Sequence, residues 1–294
     1  MNNASDNLRG AVFMMLSMAG YVVNDTLMKL ASSEVSLAQG VFVRGLMASA
    51  LLAAFAAYKG QLTHRARWPE MKVILWRAFA EIAATYCYLT ALFHMPLANL
   101  TAIMQSLPLA VTLAGAVFLR QKVGWRRYVA ILVGFGGVLI IIRPGGADFN
   151  SVAMWGVAAV GFVTLRDLMA AKLHARTPSI FAALFTAFGV TLVAGIAAAF
   201  APWQPLAGGT FALLAAAALF ILVGYVTSVS AMRFGEIAFV SPFRYTVLVW
   251  ALLLGVLVFK DYPDRWTMLG IAIVVGTGVF TFYREQRARK RAAA

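Results

Sequence analysis

Apolar stretches about as long as a bilayer is thick follow one another along almost the whole chain, separated by short segments that carry charge, proline or glycine. A helix needs about 20 predominantly apolar residues to cross the hydrocarbon core. In lipid its backbone N–H and C=O groups must pair within the segment, so each stretch is read as a helix. Ten spans are expected, at roughly 10–31, 37–58, 71–93, 97–119, 126–142, 152–172, 178–200, 208–232, 237–258 and 266–283. The breaks include Lys59 to Lys72 with Arg65, Arg67 and Pro69, then Arg120 to Arg127, Arg143-Pro144-Gly145-Gly146, and Pro202-Trp203-Gln204-Pro205.

The composition agrees. Of 294 residues, 62% are hydrophobic and 12% charged, with a mean hydropathy of +0.82, whereas a soluble domain carries about 25% charge. A soluble fold of this size is excluded, and ten spans leave no room for a sizeable soluble domain. In a soluble chain the net charge of +14 would point to nucleic acid. Here the basic residues sit in short loops and the tail, so the expected partners are the lipid bilayer and a small-molecule substrate, with no nucleic acid and a monomer as the working state.

Loop charge also sets orientation, because positive loops are retained in the cytoplasm. With the N-terminus inside, seventeen Lys and Arg fall on the cytoplasmic side, among them Arg9, Arg120, Lys172, Arg233 and the tail from Arg284 to Arg291. Four, Lys29, Arg143, Lys260 and Arg265, fall on the other. Both termini are expected in the cytoplasm. The segment after Arg9 is read as the first span, not a cleaved signal, and short loops suit a cell inner membrane. Cys87 is the only cysteine, so no intramolecular disulfide can form, and it shows no metal-ligand spacing with His64, His94 or His174. No cofactor and no metal are expected.

The sequence repeats internally. A shift of 140 pairs Ala91 with Ala231, Ala98 with Ala238, Gly115 with Gly255, Arg120 with Lys260 and Gly136 with Gly276; shifts of 142 and 143 pair Asp25 with Asp167 and Lys29-Leu30 with Lys172-Leu173. Two halves of five spans are implied, residues 1–147 and 148–294. Five being odd, the second half enters from the opposite side, giving two inverted five-helix repeats around a central cavity.

The residues Ala91-Leu92, Ala98, Leu107-Pro108-Leu109, Phe118-Leu119-Arg120-Gln121, Tyr128 and Gly136-Gly137-Val138 resemble the EamA module of the drug/metabolite transporter superfamily. Phe259-Lys260-Asp261, Gly270 and Gly278-Val279 repeat the pattern less faithfully, with Arg120 and Gln121 where the family often has Gly and Glu and Leu248 where a second Pro is usual. Within the family the YddG-type amino-acid exporters look most similar. The resemblance implies a ten-helix carrier exporting small metabolites, amino acids including aromatic ones foremost, by alternating access.

Charges inside spans are expensive and face a cavity or a partner. Asp25, Arg44, Arg77, Glu81, Arg166, Asp167 and Arg244 fall in or near the spans. Arg77 and Glu81, four apart, either neutralise each other or leave Glu81 to titrate and couple transport to protons, a role Asp25 could share. Arg44 and Arg244 lie about seven residues into their spans, roughly 10 Å deep at 1.5 Å per residue. A guanidinium can grip a carboxylate with two donors; otherwise these arginines snorkel, or pair with Asp25 or Glu236 as gates. Tyr86, Tyr88, Tyr225, Tyr245 and Gln105 complete the expected substrate contacts, Trp76, Trp155 and Trp250 being read as interfacial anchors. Asn24, Thr85 and Ser228 would add hydrogen bonds or tie helices together.

An enzyme is not expected, since no HExxH, catalytic carboxylate pair or Ser/His/Asp set lies within the spans, and no Gly-rich phosphate loop is present. The alternatives are an exporter of other metabolites or drug-like compounds, or a channel, which would need a polar pore stripe.

Overall fold

A computed structural model describes residues 4–58, 60, 68–118, 124–144, 151–173, 179–234 and 237–293. The loop charges Lys59, Arg65, Arg67, Arg120, Lys122 and Arg176, the motif residues Leu119 and Gln121, the break residues Gly145 and Gly146, His64, His174 and Glu236 lie outside the described residues, as do the side chains of Arg233 and of residues 285–294.

The described residues contain helices and no strand. In chain order they are α1 Ala4–Ala31, α2 Leu37–Tyr58, α3 Trp68–His94, α4 Leu97–Met104, α5 Leu107–Phe118, α6 Trp125–Ile142, α7 Ala153–Ala171, α8 Ser179–Ala199, α9 Gly208–Phe234, α10 Ile237–Val240, a 3-10 turn Ser241–Tyr245, α11 Thr246–Phe259 and α12 Arg265–Ala293. Two expected spans are therefore interrupted: the fourth at Gln105-Ser106, just ahead of Pro108, and the ninth at Ser241–Tyr245, which contains Pro242. A proline has no N–H to give and crowds the preceding turn, so each break falls beside one.

Nine helical segments among the described residues are long and apolar enough to cross a membrane. The expected third span is not among them. It forms α3, whose 27 residues at 1.5 Å each reach about 40 Å, but Glu70, Lys72, Arg77 and Glu81 lower its apolar content.

The largest helix interfaces join the first half of the chain to the second: α1 with α9, α3 with α7, α2 with α8 and α6 with α12. The packing follows an exchange rule. If each helix is replaced by its counterpart five spans along, α1 on α9 becomes α7 on α3, α2 on α9 becomes α8 on α3, and α1 on α10, the 3-10 turn and α11 becomes α7 on α4 and α5. The pairs α2–α8 and α6–α12 map onto themselves.

Small residues set these distances, as expected where helices lack a hydrophobic drive to associate. A Cβ on Gly20 would stand 3.1 Å from the Gly224 nitrogen, and one on Gly224 would stand 2.8 Å from the Tyr21 ring, so α1 and α9 cross almost backbone to backbone. The Ser17 hydroxyl fixes the crossing by donating to the Gly224 carbonyl at 2.7 Å. Other buried hydroxyls turn back onto their own helix, as Thr26 does to Val22 and Thr164 to Val160, which satisfies them without an outside partner.

Candidate functional site

Helix α3 presents two opposite faces. Leu75, Trp76, Phe79 and Tyr86 form an exposed stripe, which in a membrane protein faces lipid. At 3.6 residues per turn, Arg77, Glu81 and Tyr88 lie on the reverse face, turned toward the protein. This face joins two polar clusters.

The first surrounds the end of α1. The Tyr88 hydroxyl donates to Asp25 Oδ2 at 2.6 Å, the Asn24 amide donates to Asp25 Oδ1 at 2.9 Å, and Arg44 Nη1 on α2 donates to Asn24 Oδ1 at 3.1 Å. Arg44 is 8% exposed, and its Nε is buried with no partner. The arginine reaches the acid through Asn24, which ties α1 to α2.

The second cluster lies about 10 Å farther along α3, seven residues from Tyr88. Arg166 Nη1 on α7 meets Glu81 Oε2 at 3.1 Å, and its Nη2 meets Asp167 Oδ1 at 2.9 Å. Arg77 does not close the expected pair with Glu81; its Nη1 donates to Thr186 Oγ1 at 2.5 Å and to the Ala182 carbonyl at 3.1 Å, both on α8. The side chains of Arg166, Glu81 and Asp167 are 27%, 26% and 36% exposed. Glu81 lies at the middle of α3, where an exposed charge is incompatible with hydrocarbon, so that exposure is read as belonging to a polar space. Across both clusters, Arg44, Arg77 and Arg166 balance Asp25, Glu81 and Asp167.

Sequence reasoning named Asp25, Arg44, Glu81 and Tyr88, and the structure gathers them into these clusters. Tyr225 on α9 lies within electrostatic range of Arg77, and Arg244 within range of Tyr21 and Tyr245. Arg244 is exposed at the end of the 3-10 turn. Gln105 sits in the break between α4 and α5 with its side-chain Nε2 buried and unpartnered. Two residues point elsewhere. Tyr86 is 45% exposed on the lipid stripe, and the Tyr245 hydroxyl presses on Gly278 of α12.

Arg166 and Asp167, singled out in the sequence as intramembrane charges without a substrate role, form the second cluster, and Thr186 joins it unanticipated. Trp250, read as an interfacial anchor, has a buried, unpartnered Nε1 and packs against the buried cluster of Met14, Met18, Ala231 and Val240. The pairing of Asp25 with Asp167 in the repeat was the signal for the second cluster.

One end of the bundle is laced across the halves. Gln39 on α2 donates to the Gln204 carbonyl at 2.7 Å and accepts from the Gln204 N–H at 3.0 Å. Thr210 donates to Glu34, Lys29 Nζ bonds the Met95 carbonyl and lies 5.2 Å over the Phe259 ring, and Arg143 pairs with Asp264. Among the described residues no group of three or more His, Cys, Asp and Glu is placed to hold a metal ion.

The family sequence profile described as "EamA-like transporter family" matches residues 8–143. The chain is 28% identical over 290 residues to a protein of Rickettsia bellii named "S-adenosylmethionine uptake transporter", covering 96% of each. It is 31% identical over 224 residues to a "Riboflavin transporter" of Vibrio cholerae, covering 74% of this chain and 73% of that protein. A solved structure, "Crystal structure of protein", is 18% identical and superposes with a TM-score of 0.64 over 94% of this chain and 98% of its own, a likeness of fold. These relatives are named for S-adenosylmethionine and riboflavin and lend no support to amino-acid export as the specific activity.

Proposed function

This chain belongs to the EamA-like transporter family, and from that premise we propose that it is a secondary carrier for a small amphoteric metabolite, with S-adenosylmethionine the first candidate, working by alternating access. It is a multi-pass membrane transporter, and its family is one of transporters, not enzymes.

The observation that carries the substrate class is the inward face of α3, which joins two clusters of balanced charge about 10 Å apart. A metabolite with an amino-acid group at one end and a cationic or heteroaromatic group at the other meets both charge signs at each cluster. The unpartnered Nε of Arg44 and Nε2 of Gln105 are donors for its carboxylate, and the acids Glu81 and Asp167 attract its cationic centre. Full-length similarity to an S-adenosylmethionine transporter supports the same choice.

In this reading α3, the third helix along the chain, also crosses the membrane and brings the spans to ten, residues 1–147 and 148–294 form two inverted five-helix repeats, and both termini lie in the cytoplasm of an inner membrane. The exchange rule in the helix packing supports the repeat. So do the interrupted helices, since the shift of 140 sets the break at Gln105 against Tyr245 at the end of the 3-10 turn. Helices broken at matching positions of two repeats mark the substrate site in many carriers. The laced end of the bundle is then its closed outer face, and the cluster around Glu81 faces the cytoplasm.

The test is flux of labelled S-adenosylmethionine, riboflavin and a panel of amino acids in proteoliposomes, with and without a pH gradient, for wild type, Arg44→Ala, Glu81→Gln and Arg244→Ala. S-adenosylmethionine flux lost in Arg44→Ala is the expected result, and gradient dependence lost only in Glu81→Gln would make Glu81 the coupling group. Riboflavin or amino-acid flux without S-adenosylmethionine flux refutes the substrate, and single-channel current refutes the carrier.

A further inference from the structure

Helices α6 and α12 touch backbone to backbone at Gly137 and Gly270, where a Cβ on Gly270 would stand 2.7 Å from the Gly137 carbonyl oxygen. Toward Trp125 and Phe280 the same two helices leave a groove of about 340 Å³ walled by Val129, Val133 and Phe280, with Trp125 and Arg126 at its mouth. All five of these side chains are exposed, so the groove opens sideways to the bilayer. Gly276 lies in its floor, and a Cβ there would meet no atom within 4 Å.

The two ends of this helix pair differ in charge. At one end Arg143 pairs with Asp264, whose carboxylate also accepts from the Thr267 backbone N–H at 2.8 Å. The repeat shift of 140 puts Gly124 in the place of Asp264 at the other end, and a shift of 141 puts Arg284 in the place of Arg143. Arg284 therefore lacks the acid that Arg143 has. Arg126 and Arg127 stand at the same end, Arg126 lying 5.4 Å over the Trp125 ring, and among the described residues none of these three arginines takes part in an ion pair. Beyond them the tail adds Arg287, Arg289, Lys290 and Arg291 against Glu285.

We propose that this groove binds an anionic phospholipid, with an acyl chain between α6 and α12 and the phosphate among Arg126, Arg127 and Arg284. The lipid phosphate supplies the negative charge that Asp264 supplies at the opposite end. Arginine suits the task because its guanidinium meets phosphate oxygens with two donors, and a tryptophan beside it is at home at headgroup depth. Anionic headgroups on the cytoplasmic leaflet draw juxtamembrane basic clusters of this kind. The site is independent of what the chain carries.

The full chain in detergent is incubated with phosphatidylglycerol or phosphatidylcholine of identical acyl chains, and bound lipid is counted by native mass spectrometry. Wild type is expected to retain phosphatidylglycerol in preference to phosphatidylcholine, with excess inorganic phosphate failing to displace it. Gly276→Leu, which fills the floor of the groove, lowers retention of both lipids. Arg126→Gln with Arg284→Gln, at the open end of the helix pair, reduces the preference about thirtyfold, from about 1 kcal/mol per arginine. Equal retention of the two lipids by wild type overturns the proposal, as does an unchanged preference in the double arginine variant. Displacement by inorganic phosphate overturns it too, by assigning the arginines to a free anion.

Discussion

The Tyr88 hydroxyl on α3 donates a 2.6 Å hydrogen bond to the Asp25 carboxylate on α1, across 63 residues of sequence. It ties the one intramembrane acid of α1 to the helix that carries Glu81 two turns away. Interhelical hydrogen bonds in membranes average about 0.6 kcal/mol, and one to a charged acceptor lies higher. Tyr88→Phe is expected to cost about 1–2 kcal/mol on that basis, seen as a lower unfolding temperature in detergent. An unchanged temperature would remove this bond from the forces that hold α1 to α3.

The Arg166–Glu81 pair predicts coupled substitutions. Glu81→Gln or Arg166→Gln alone leaves a charge without its partner, while the double substitution keeps the site neutral. For a fully buried pair the single loss is about 3–5 kcal/mol; with each side chain about a quarter exposed, solvent reduces it. Flux in each single variant should fall at least about tenfold, with the double variant recovering part of the loss. Additive losses would show that the two residues act separately.

Glycine contacts set the α1–α9 crossing. Gly224→Leu drives a side chain into the Tyr21 ring and toward the Ser17 carbonyl, 3.3 Å from the new Cβ. Overpacking of this kind costs about 1–3 kcal/mol. Gly161→Ala on α7, whose Cβ would meet no atom within 4 Å, should leave stability unchanged or slightly raised. The comparison is read from thermal unfolding of both variants beside wild type.

Asp264 sets an acid limit. The Arg143 guanidinium, with help from Thr267, holds its carboxyl down at about 2 against an ordinary 3.8. Because the folded-state value is depressed, this pair stabilises above pH 3.8 and its contribution is lost as pH falls through about 2. An exposed pair contributes at most about 1 kcal/mol. Asp264→Asn should therefore lower the unfolding temperature slightly at pH 7 and by much less at pH 2, and an equal effect at both pH values would contradict the assignment.

Orientation is testable because one substitution, Cys87→Ser, removes the only cysteine. In that background a cysteine at Tyr262 should react with an impermeant maleimide added to intact cells. One at Ala293 should react only after permeabilisation. The reverse pattern would invert the topology.

Much of the architecture was legible in the sequence because a bilayer is a strict solvent. It demands apolar runs of fixed length and helices throughout, so the positions of nine spans followed from composition alone. The third carries a weaker apolar signal, because Arg77 and Glu81 dilute it. The breaks at Gln105 and at Ser241–Tyr245 were visible only as prolines, because whether a proline bends or interrupts a helix depends on the neighbours that satisfy the freed backbone groups.

The sequence by itself determined which residues are costly in a membrane and therefore need partners: Asp25, Arg44, Glu81 and Arg166 stand out of their spans by charge. Tertiary structure decided who the partners are. Glu81 took Arg166, 85 positions away, over Arg77 on its own helix, and Arg77 turned to α8. Helical spacing brings two side chains close, but the helix packed against them decides which of two charges lies nearer. Tyr86 and Tyr88 show the same division: two residues apart, they lie far apart around the helix, and only the placement of α3 put one toward lipid and the other on Asp25.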